Sequence, residues 1–222
     1  MARTRIKICG IKDDDALYAA AEGGADAVGF MFVKDSARYI EPEDAYGLLA
    51  ALPPFVASVS VFADIDLDVF SDIEEICPTS YTQLHGEENE KQVMAMGPDI
   101  IKAVKFDPAS AGTPSGGPFA SELARWSDSN DVLAILIDGA AGGTGVPLDW
   151  ERLAAFTDTL TKPIILAGGL TPQNVHEAIR IIRPYGVDVS SGVERARGVK
   201  DPEKILEFCQ AVRKADAEMN QE

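Results

Sequence analysis

The chain reads as an α/β protein: a single domain over residues 1–222, folded as a (β/α)8 TIM barrel of parallel strands. Three observations predict it. Short β-rich runs alternate eight times with segments of helical period. Runs such as Val132-Leu133-Ala134-Ile135-Leu136-Ile137 are apolar on nearly every residue, as parallel strands covered on both faces should be. Dividing 222 residues by eight gives about 28 per unit, close to that of a barrel of about 250 residues. An open doubly wound sheet fits less well.

Thr4 to Cys9 is a short β-rich run, and Asp13 to Gly23 follows with capping residues, alanines and helical spacing. The same alternation gives Asp26–Phe32 then Pro42–Leu52, Phe55–Phe62 then Leu67–Cys77, and Ser80–Leu84 then Glu87–Met96. The second half continues with Ile100–Phe106 then Pro118–Ser127, and Val132–Asp138 then Asp149–Thr157. Pro163–Ala167 then Pro172–Arg183, and Val187–Val189 then Pro202–Lys214, complete the set. The most linker-like stretch, Pro108 to Pro118, falls between a strand and its helix, so it is expected to be a long βα loop rather than a domain boundary.

Composition narrows the function. Hydrophobic residues make up 46% and charged ones 25%, an ordinary globular balance. No apolar run approaches the roughly 18 residues of a membrane helix, and the first nine residues lack a secretory apolar region. The expectation is a soluble, cytoplasmic protein with no membrane partner. A net charge of −16, without clustered basic residues, argues against nucleic acid. Cys9, Cys77 and Cys209 are odd in number and widely spaced, which supports neither a disulfide framework nor a cysteine zinc site. His85 and His176 are too few and too scattered for a metal site; His176 reads as a residue of the seventh helix. No amphipathic stripe is left once eight helices cover the barrel, so monomer and homodimer both stay open.

In such a barrel the chemistry sits where strands end and βα loops begin. Those places hold Cys9-Gly10, Lys34-Asp35-Ser36-Ala37-Arg38, Gln83-Leu84-His85-Gly86, Asp138 with Gly142-Gly143-Thr144-Gly145, Gly168-Gly169, and Ser190-Ser191-Gly192. Glycines there let backbone N–H groups approach an anion, and the loops after the seventh and eighth strands are the usual phosphate site. In the sixth loop the glycines fit tight turns equally well. Arg38 suits a carboxylate through its planar fork and also suits a solvated surface. Cys9 fits a small buried hydrophobe as well as a reactive thiol. Asp138 ends an apolar strand, where an acid is costly unless satisfied, so it reads either as a loop hydrogen-bond partner or as a functional acid. His85 is a candidate substrate contact.

Taken together, Lys7-Ile8-Cys9-Gly10, Gln83-Leu84-His85-Gly86, Gly143-Thr144-Gly145, Ala167-Gly168-Gly169-Leu170 and Asp188-Val189-Ser190-Ser191-Gly192-Val193-Glu194 resemble the phosphoribosylanthranilate isomerases of tryptophan biosynthesis. The match runs from the first strand to the last helix. Its GGL loop is shared by several barrels, whereas the KICG start combined with DVSSGVE and Lys200-Asp201 is specific. One departure is Ser36-Ala37-Arg38, where the family usually has Ser-Pro-Arg. Alanine removes a fixed φ from the loop that aims the arginine.

The resemblance implies an Amadori rearrangement of a small phosphorylated aminosugar, N-(5-phosphoribosyl)anthranilate, with no metal or organic cofactor. It implies that Asp138 is the general acid that opens the furanose ring and Cys9 the general base that removes the C2 proton. Arg38 would hold the anthranilate carboxylate, Asp188 would position the aminosugar, and the backbone around Gly168, Gly169, Ser191 and Gly192 would bind phosphate. Lys7 and His85 complete the expected substrate site. The chemistry asks Cys9 to be a thiolate, although a free thiol titrates near about 8.5, and Asp138 to hold a proton, although a free aspartate titrates near about 3.9. Lys7, two residues before Cys9, projects from the same strand face and is expected to favour the thiolate.

Three rivals remain on the sequence. Indole-3-glycerol-phosphate synthase would share the phosphate loops but calls for a lysine and glutamate constellation and a longer N-terminal segment. A dual-substrate isomerase acting also on the histidine-pathway aminoaldose is disfavoured by Cys9, where an aspartate is expected. A non-catalytic phosphate-ligand module is disfavoured by the joint presence of Cys9 and Asp138.

Overall fold

The computed structural model describes residues 3–139, 149–157 and 160–221. Gly142, Gly143, Thr144 and Gly145 of the sixth βα loop lie outside them. Strands β1 (Arg5–Cys9), β2 (Ala27–Met31), β3 (Ala57–Phe62), β4 (Tyr81–Leu84), β5 (Ile100–Phe106), β6 (Val132–Gly139), β7 (Ile164–Leu166) and β8 (Gly186–Val189) close in chain order into a barrel. Every neighbouring pair is parallel, and β8 returns to β1 with Lys7 opposite Asp188. The predicted (β/α)8 fold is therefore the observed one.

Helices α1 (Asp14–Glu22), α2 (Pro42–Ala50), α3 (Leu67–Ile76), α4 (Glu90–Ala95), α5 (Pro118–Asp128), α6 (Trp150–Thr157), α7 (Val175–Ile182) and α8 (Pro202–Met219) follow the strands in turn. Residues 107–117 form the expected long βα loop before α5. Several boundaries move for local reasons. Strand β3 starts at Ala57 because Phe55 adopts φ +72°, outside the strand region. Helix α4 starts at Glu90, where Asn89 and Gln92 form a reciprocal capping box. Before α7, the Asn174 side chain accepts from Thr171 N at 2.8 Å, holding residues 171–174 in a turn.

Strand alternation divides the core in two. One side chain set fills the barrel, among them Cys9, Val59, Val61, Ile101, Ala103, Leu136 and Ile165. The other, including Ile6, Ile8, Phe30, Phe62, Phe106, Trp126 and Phe208, packs under the helices. Missing from the predicted element list is an antiparallel hairpin after β8: a 3-10 turn (Ser191–Val193), then β9 (Glu194–Ala196) and β10 (Val199–Lys200).

The helix-facing layer also holds a buried ion pair. Lys102 Nζ lies 3.0 Å from Glu88 Oε2, with both side chains almost wholly enclosed. Burial pushes the Glu88 carboxyl up, but the attraction of Lys102 and the N–H of Asp64 outweigh it and hold the group below the ordinary value. A depressed folded value adds stability above the unfolded glutamate value of about 4.3, and that stability is lost as pH falls through the folded value. We expect Lys102→Met to lower unfolding free energy by about 3–5 kcal/mol near neutral pH, because it leaves the Glu88 carboxylate buried and unpaired. A urea midpoint equal to that of the wild type would refute this.

Candidate active site

At the C-terminal ends of the strands, one cleft is lined by Cys9, Arg38, Gln83, His85, Asp138, Gly168, Gly169, Asp188 and Ser191, with Met31 and Leu170 among its apolar walls. Cys9 reaches it as the last residue of β1, facing the barrel interior. Opposite it, β2 offers Gly29. A Cβ at that position would lie 2.9 Å from Cys9 Sγ and 3.2 Å from Lys7 Nζ, so the missing side chain makes the space in which the thiol and the ammonium meet.

Lys7 stands one layer below Cys9 and outside the cleft lining. Its Nζ lies 2.9 Å from Asp188 Oδ1 across the β1–β8 seam, and both residues are buried. Burial works against the Lys7 charge, yet the attraction of Asp188 and Cys9 prevails and raises its pKa above the ordinary value. For Cys9, burial pushes the thiol up, Lys7 and Lys200 pull it down, and Asp188 adds to the rise. The net direction is upward. Lys7 therefore acts in the expected sense, but it moderates the cost of burying a thiolate rather than abolishing it.

A second network runs from Cys9 to Arg38. Ser190 Oγ donates to the Cys9 carbonyl at 3.0 Å, and Lys200 Nζ donates to the Ser190 carbonyl at 2.8 Å and to Glu194 Oε1 at 3.1 Å. Glu194 in turn accepts from Arg38 Nε at 2.7 Å and from Nη2 at 3.1 Å. The guanidinium fork expected to meet a ligand is thus half occupied by Glu194, through Nε and Nη2. The Glu194 carboxyl is pushed up by burial, but Arg38 and Lys200 hold it below its ordinary value.

On the opposite wall, Asp138 is the next-to-last residue of β6, with Oδ1 accepting from Gly139 N at 2.8 Å and Oδ2 3.2 Å from His85 Nε2. His85 Nδ1 lies 3.0 Å from Gln83 Nε2. Gly168 adopts φ +81°, and a Cβ there would fall 2.6 Å from Gly139 N and 2.9 Å from Asp138 Oδ1. Only glycine suits both the conformation and the approach. Gly169 follows at φ +67°, and among the described residues the N–H groups of both have no acceptor. Gly192 lies behind the cleft wall, where a Cβ would collide with the Leu170 carbonyl at 1.9 Å, so it packs the two loops together.

Nearly all the predicted site residues thus converge, with Lys7 beneath the cleft and Gly192 behind it. Gln83, Ser190, Glu194 and Lys200 stand in the motifs quoted from sequence but were given no role there. Their signal was present: Gln83 and His85 have strand spacing, and a lysine and glutamate near a phosphate loop are unlike the apolar strands around them.

The chain matches the family model described as N-(5'-phosphoribosyl)anthranilate isomerase over residues 6–211. The N-(5'-phosphoribosyl)anthranilate isomerase of Pseudomonas fluorescens is 41% identical over 220 residues, covering 99% of this chain and 100% of the relative. A phosphoribosylanthranilate isomerase crystallised with reduced 1-(o-carboxyphenylamino)-1-deoxyribulose 5-phosphate is 34% identical at a TM-score of 0.79, covering 95% of this chain and 99% of that one. Monomers generated from the dimeric isomerase of Thermotoga maritima are 32% identical at a TM-score of 0.79, with the same coverages of 95% and 99%. With matching sequence over nearly its whole length and the same barrel, the chain belongs to the phosphoribosylanthranilate isomerase family.

Proposed function

We propose that Asp138 is the general acid and Cys9 the general base of the reaction this family performs, with residues 1–222 acting as one catalytic domain. That reaction is the Amadori rearrangement of N-(5'-phosphoribosyl)anthranilate to 1-(2-carboxyphenylamino)-1-deoxyribulose 5-phosphate in tryptophan biosynthesis. The observation that carries the residue roles is that Cys9 and Asp138 line one cleft between a glycine loop suited to phosphate and an arginine suited to a carboxylate.

In this reading Asp138 protonates the furanose oxygen, the ring C–O bond breaks, and a Schiff base forms. Cys9 then removes the C2 proton, and the enolamine tautomerises to the ketone. Phosphate rests on the backbone N–H groups of Gly168 and Gly169 beside Ser191 and Gly192; neutral amides suit an anion in a chain of net charge −16. Arg38 takes the anthranilate carboxylate with the part of its fork that Glu194 leaves free. Asp188, held by Lys7, faces the aminosugar. A cytoplasmic, reducing location suits an enzyme whose base is a free thiol.

The second partner we propose is another copy of the chain. The helices cover the sides of the barrel but not its N-terminal end, where Tyr81, Leu133 and Tyr185 are exposed around a largely apolar cavity that reaches Ala57 and Ile165. Two residues before Ala57, Phe55 is fully exposed after Pro53 and Pro54. Its φ of +72° is costly for a bulky residue, by about 1–2 kcal/mol. A two-fold pair would let each Phe55 fill its partner's cavity, and the Thermotoga maritima relative is described as dimeric.

Turnover of freshly generated phosphoribosylanthranilate, followed by loss of anthranilate-type fluorescence, tests the acid and base. We expect Asp138→Asn to keep KM within about twofold and to lose about 100-fold or more in kcat, as removal of a general acid does. Cys9→Ala should abolish turnover; near-normal rates in either variant would remove that residue from its role. Iodoacetamide labelling of Cys9 should be slow at neutral pH and rise towards alkaline pH, because a raised thiol pKa leaves little thiolate until pH approaches it. Cys77 and Cys209, both pushed up to about 11 by burial, serve as slow internal controls. In Lys7→Met the rise should shift to still higher pH, and an unshifted labelling curve would show that Lys7 does not support the thiolate. In light scattering the wild type should be a dimer and Phe55→Glu an active monomer; a monomeric wild type at micromolar concentration would end the assembly reading.

A further inference from the structure

The cleft contains polar side chains that the two proton transfers leave unused. Gln83 is 1% exposed, and among the described residues its Oε1 has no hydrogen-bond partner, while its Nε2 meets His85 Nδ1 at 3.0 Å. A buried amide with one unsatisfied end is costly and calls for a reason. The remaining ring nitrogen, His85 Nε2, faces Asp138 Oδ2 at 3.2 Å.

The chemistry of this row has two states. With the amide nitrogen towards Nδ1, the ring offers a lone pair there and carries its proton on Nε2, so the imidazole is neutral. With the amide turned over, its carbonyl accepts from an Nδ1–H and Asp138 accepts from the Nε2–H, and the ring is an imidazolium. The orientation of Gln83 and the charge of His85 are therefore coupled.

The backbone on both sides of His85 is held by a second set of side chains. Lys102 Nζ donates to the carbonyls of Leu84 at 3.4 Å and Gly86 at 2.8 Å, the residues on either side of His85. Its partner Glu88 accepts from the N–H groups of Gly86 at 3.1 Å and Asp64 at 2.9 Å. A buried ion pair is a poor way to gain stability compared with apolar packing, but it fixes position well. Here it clamps the peptide units that flank His85.

We propose that His85 stores the proton that Asp138 delivers, with Gln83 as the residue that positions the ring for either charge. This rests on Asp138 being the acid. An ordinary aspartic acid has lost its proton well below neutral pH, whereas an ordinary imidazole titrates near about 6.5. In the loaded pair the Gln83 amide is turned over, the ring is an imidazolium with its Nδ1–H on the amide carbonyl and its Nε2–H on Asp138, and Asp138 is an anion. The Nε2–H bond breaks as the Oδ2–H bond forms, leaving a neutral imidazole protonated on Nδ1 and a carboxylic acid. The acid then gives its proton to the furanose oxygen as the ring C–O bond breaks, and is a carboxylate again. The isomerisation is proton-neutral overall: in the last tautomerisation Cys9 returns the proton it took from C2 to C1, and the proton released from the enol hydroxyl reloads the pair. The charged or titratable groups around His85 are Asp138 on β6, Lys105 on β5 beside it with its partner Glu87, Asp64 after β3, and Lys102 and Glu88 behind it, with Cys9, Arg38 and Asp188 across the cleft.

The test compares pH profiles of kcat and kcat/KM for the wild type, His85→Asn and Gln83→Glu. Asparagine can still donate to Asp138 but cannot carry the extra proton. We expect His85→Asn to lose about tenfold or more in kcat with KM within about twofold, and to move the profile limb belonging to the pair to lower pH. Gln83→Glu, which fixes an acceptor on Nδ1, should move the same limb to higher pH. Opposite shifts from neighbouring residues are not what a structural defect produces. Unmoved limbs in His85→Asn, or a loss confined to KM, would overturn the proposal and make His85 a substrate contact. Should Gln83→Glu fail to fold, ring nitrogen NMR of His85 in the wild type and in Asp138→Asn decides, with His176→Gln providing the assignment. The His85 titration should fall when the carboxylate is removed, and an unchanged titration would show that no proton is shared. An inactive wild type would instead strike at the acid and base themselves.

Discussion

The ion pair of Lys7 and Asp188 inside the barrel is the constraint on which the site depends. It joins β1 to β8 where the barrel closes, and it keeps a full positive charge one layer below Cys9. Without Asp188, burial would favour the neutral amine, and the thiol above it would face desolvation with less help. Gly29 is the geometric counterpart of this electrostatic arrangement, because any side chain there would occupy the space shared by Sγ and Nζ. Charge and vacancy together moderate the cost of a thiolate at this buried cysteine.

From that pair, positive charge continues along one wall through Lys200 to Arg38, with Glu194 between them. This arrangement bears on Ala37. A proline there would restrict the loop through its fixed φ; here the restriction comes from outside. Glu194 grips the guanidinium at two nitrogens, and the hairpin that carries it presses Gly198 against the Ala37 carbonyl, where a Cβ would lie 2.3 Å away. The loop is thus clamped by tertiary contacts, and the arginine keeps its aim without the backbone constraint.

The barrel was legible in sequence because parallel strands buried on both faces leave continuous apolar runs, and helices between them leave a different period. Cys9 and Asp138 were visible as polar residues at the ends of such runs. Less could be read where long-range contacts decide. The hairpin of β9 and β10 is short, rich in charge and without alternation, so nothing local distinguishes it from a loop. Glu194 gains its meaning only from Arg38, which is 156 residues away in the chain. The direction of the Cys9 shift was also out of reach. Strand alternation places Lys7 beneath the thiol, but the balance between its attraction and the cost of burial depends on how completely the barrel excludes water.

The two walls of the cleft therefore make opposite electrostatic environments within one small space. Around Cys9 are ammonium groups that favour an anion, partly compensating for burial. Around Asp138 there is a backbone N–H and an imidazole, but among the described residues no lysine or arginine in hydrogen-bonding contact. The proposed base, which must shed a proton, and the proposed acid, which must be handed one, are thus held in surroundings of different charge. The barrel supplies the difference through topology: β1 and β8 meet at the seam with their charged residues facing each other, while β4 and β6 face the same cleft from the other side. The two walls are therefore built from different strands of one barrel. The helices outside carry the apolar burial that holds the closed sheet together.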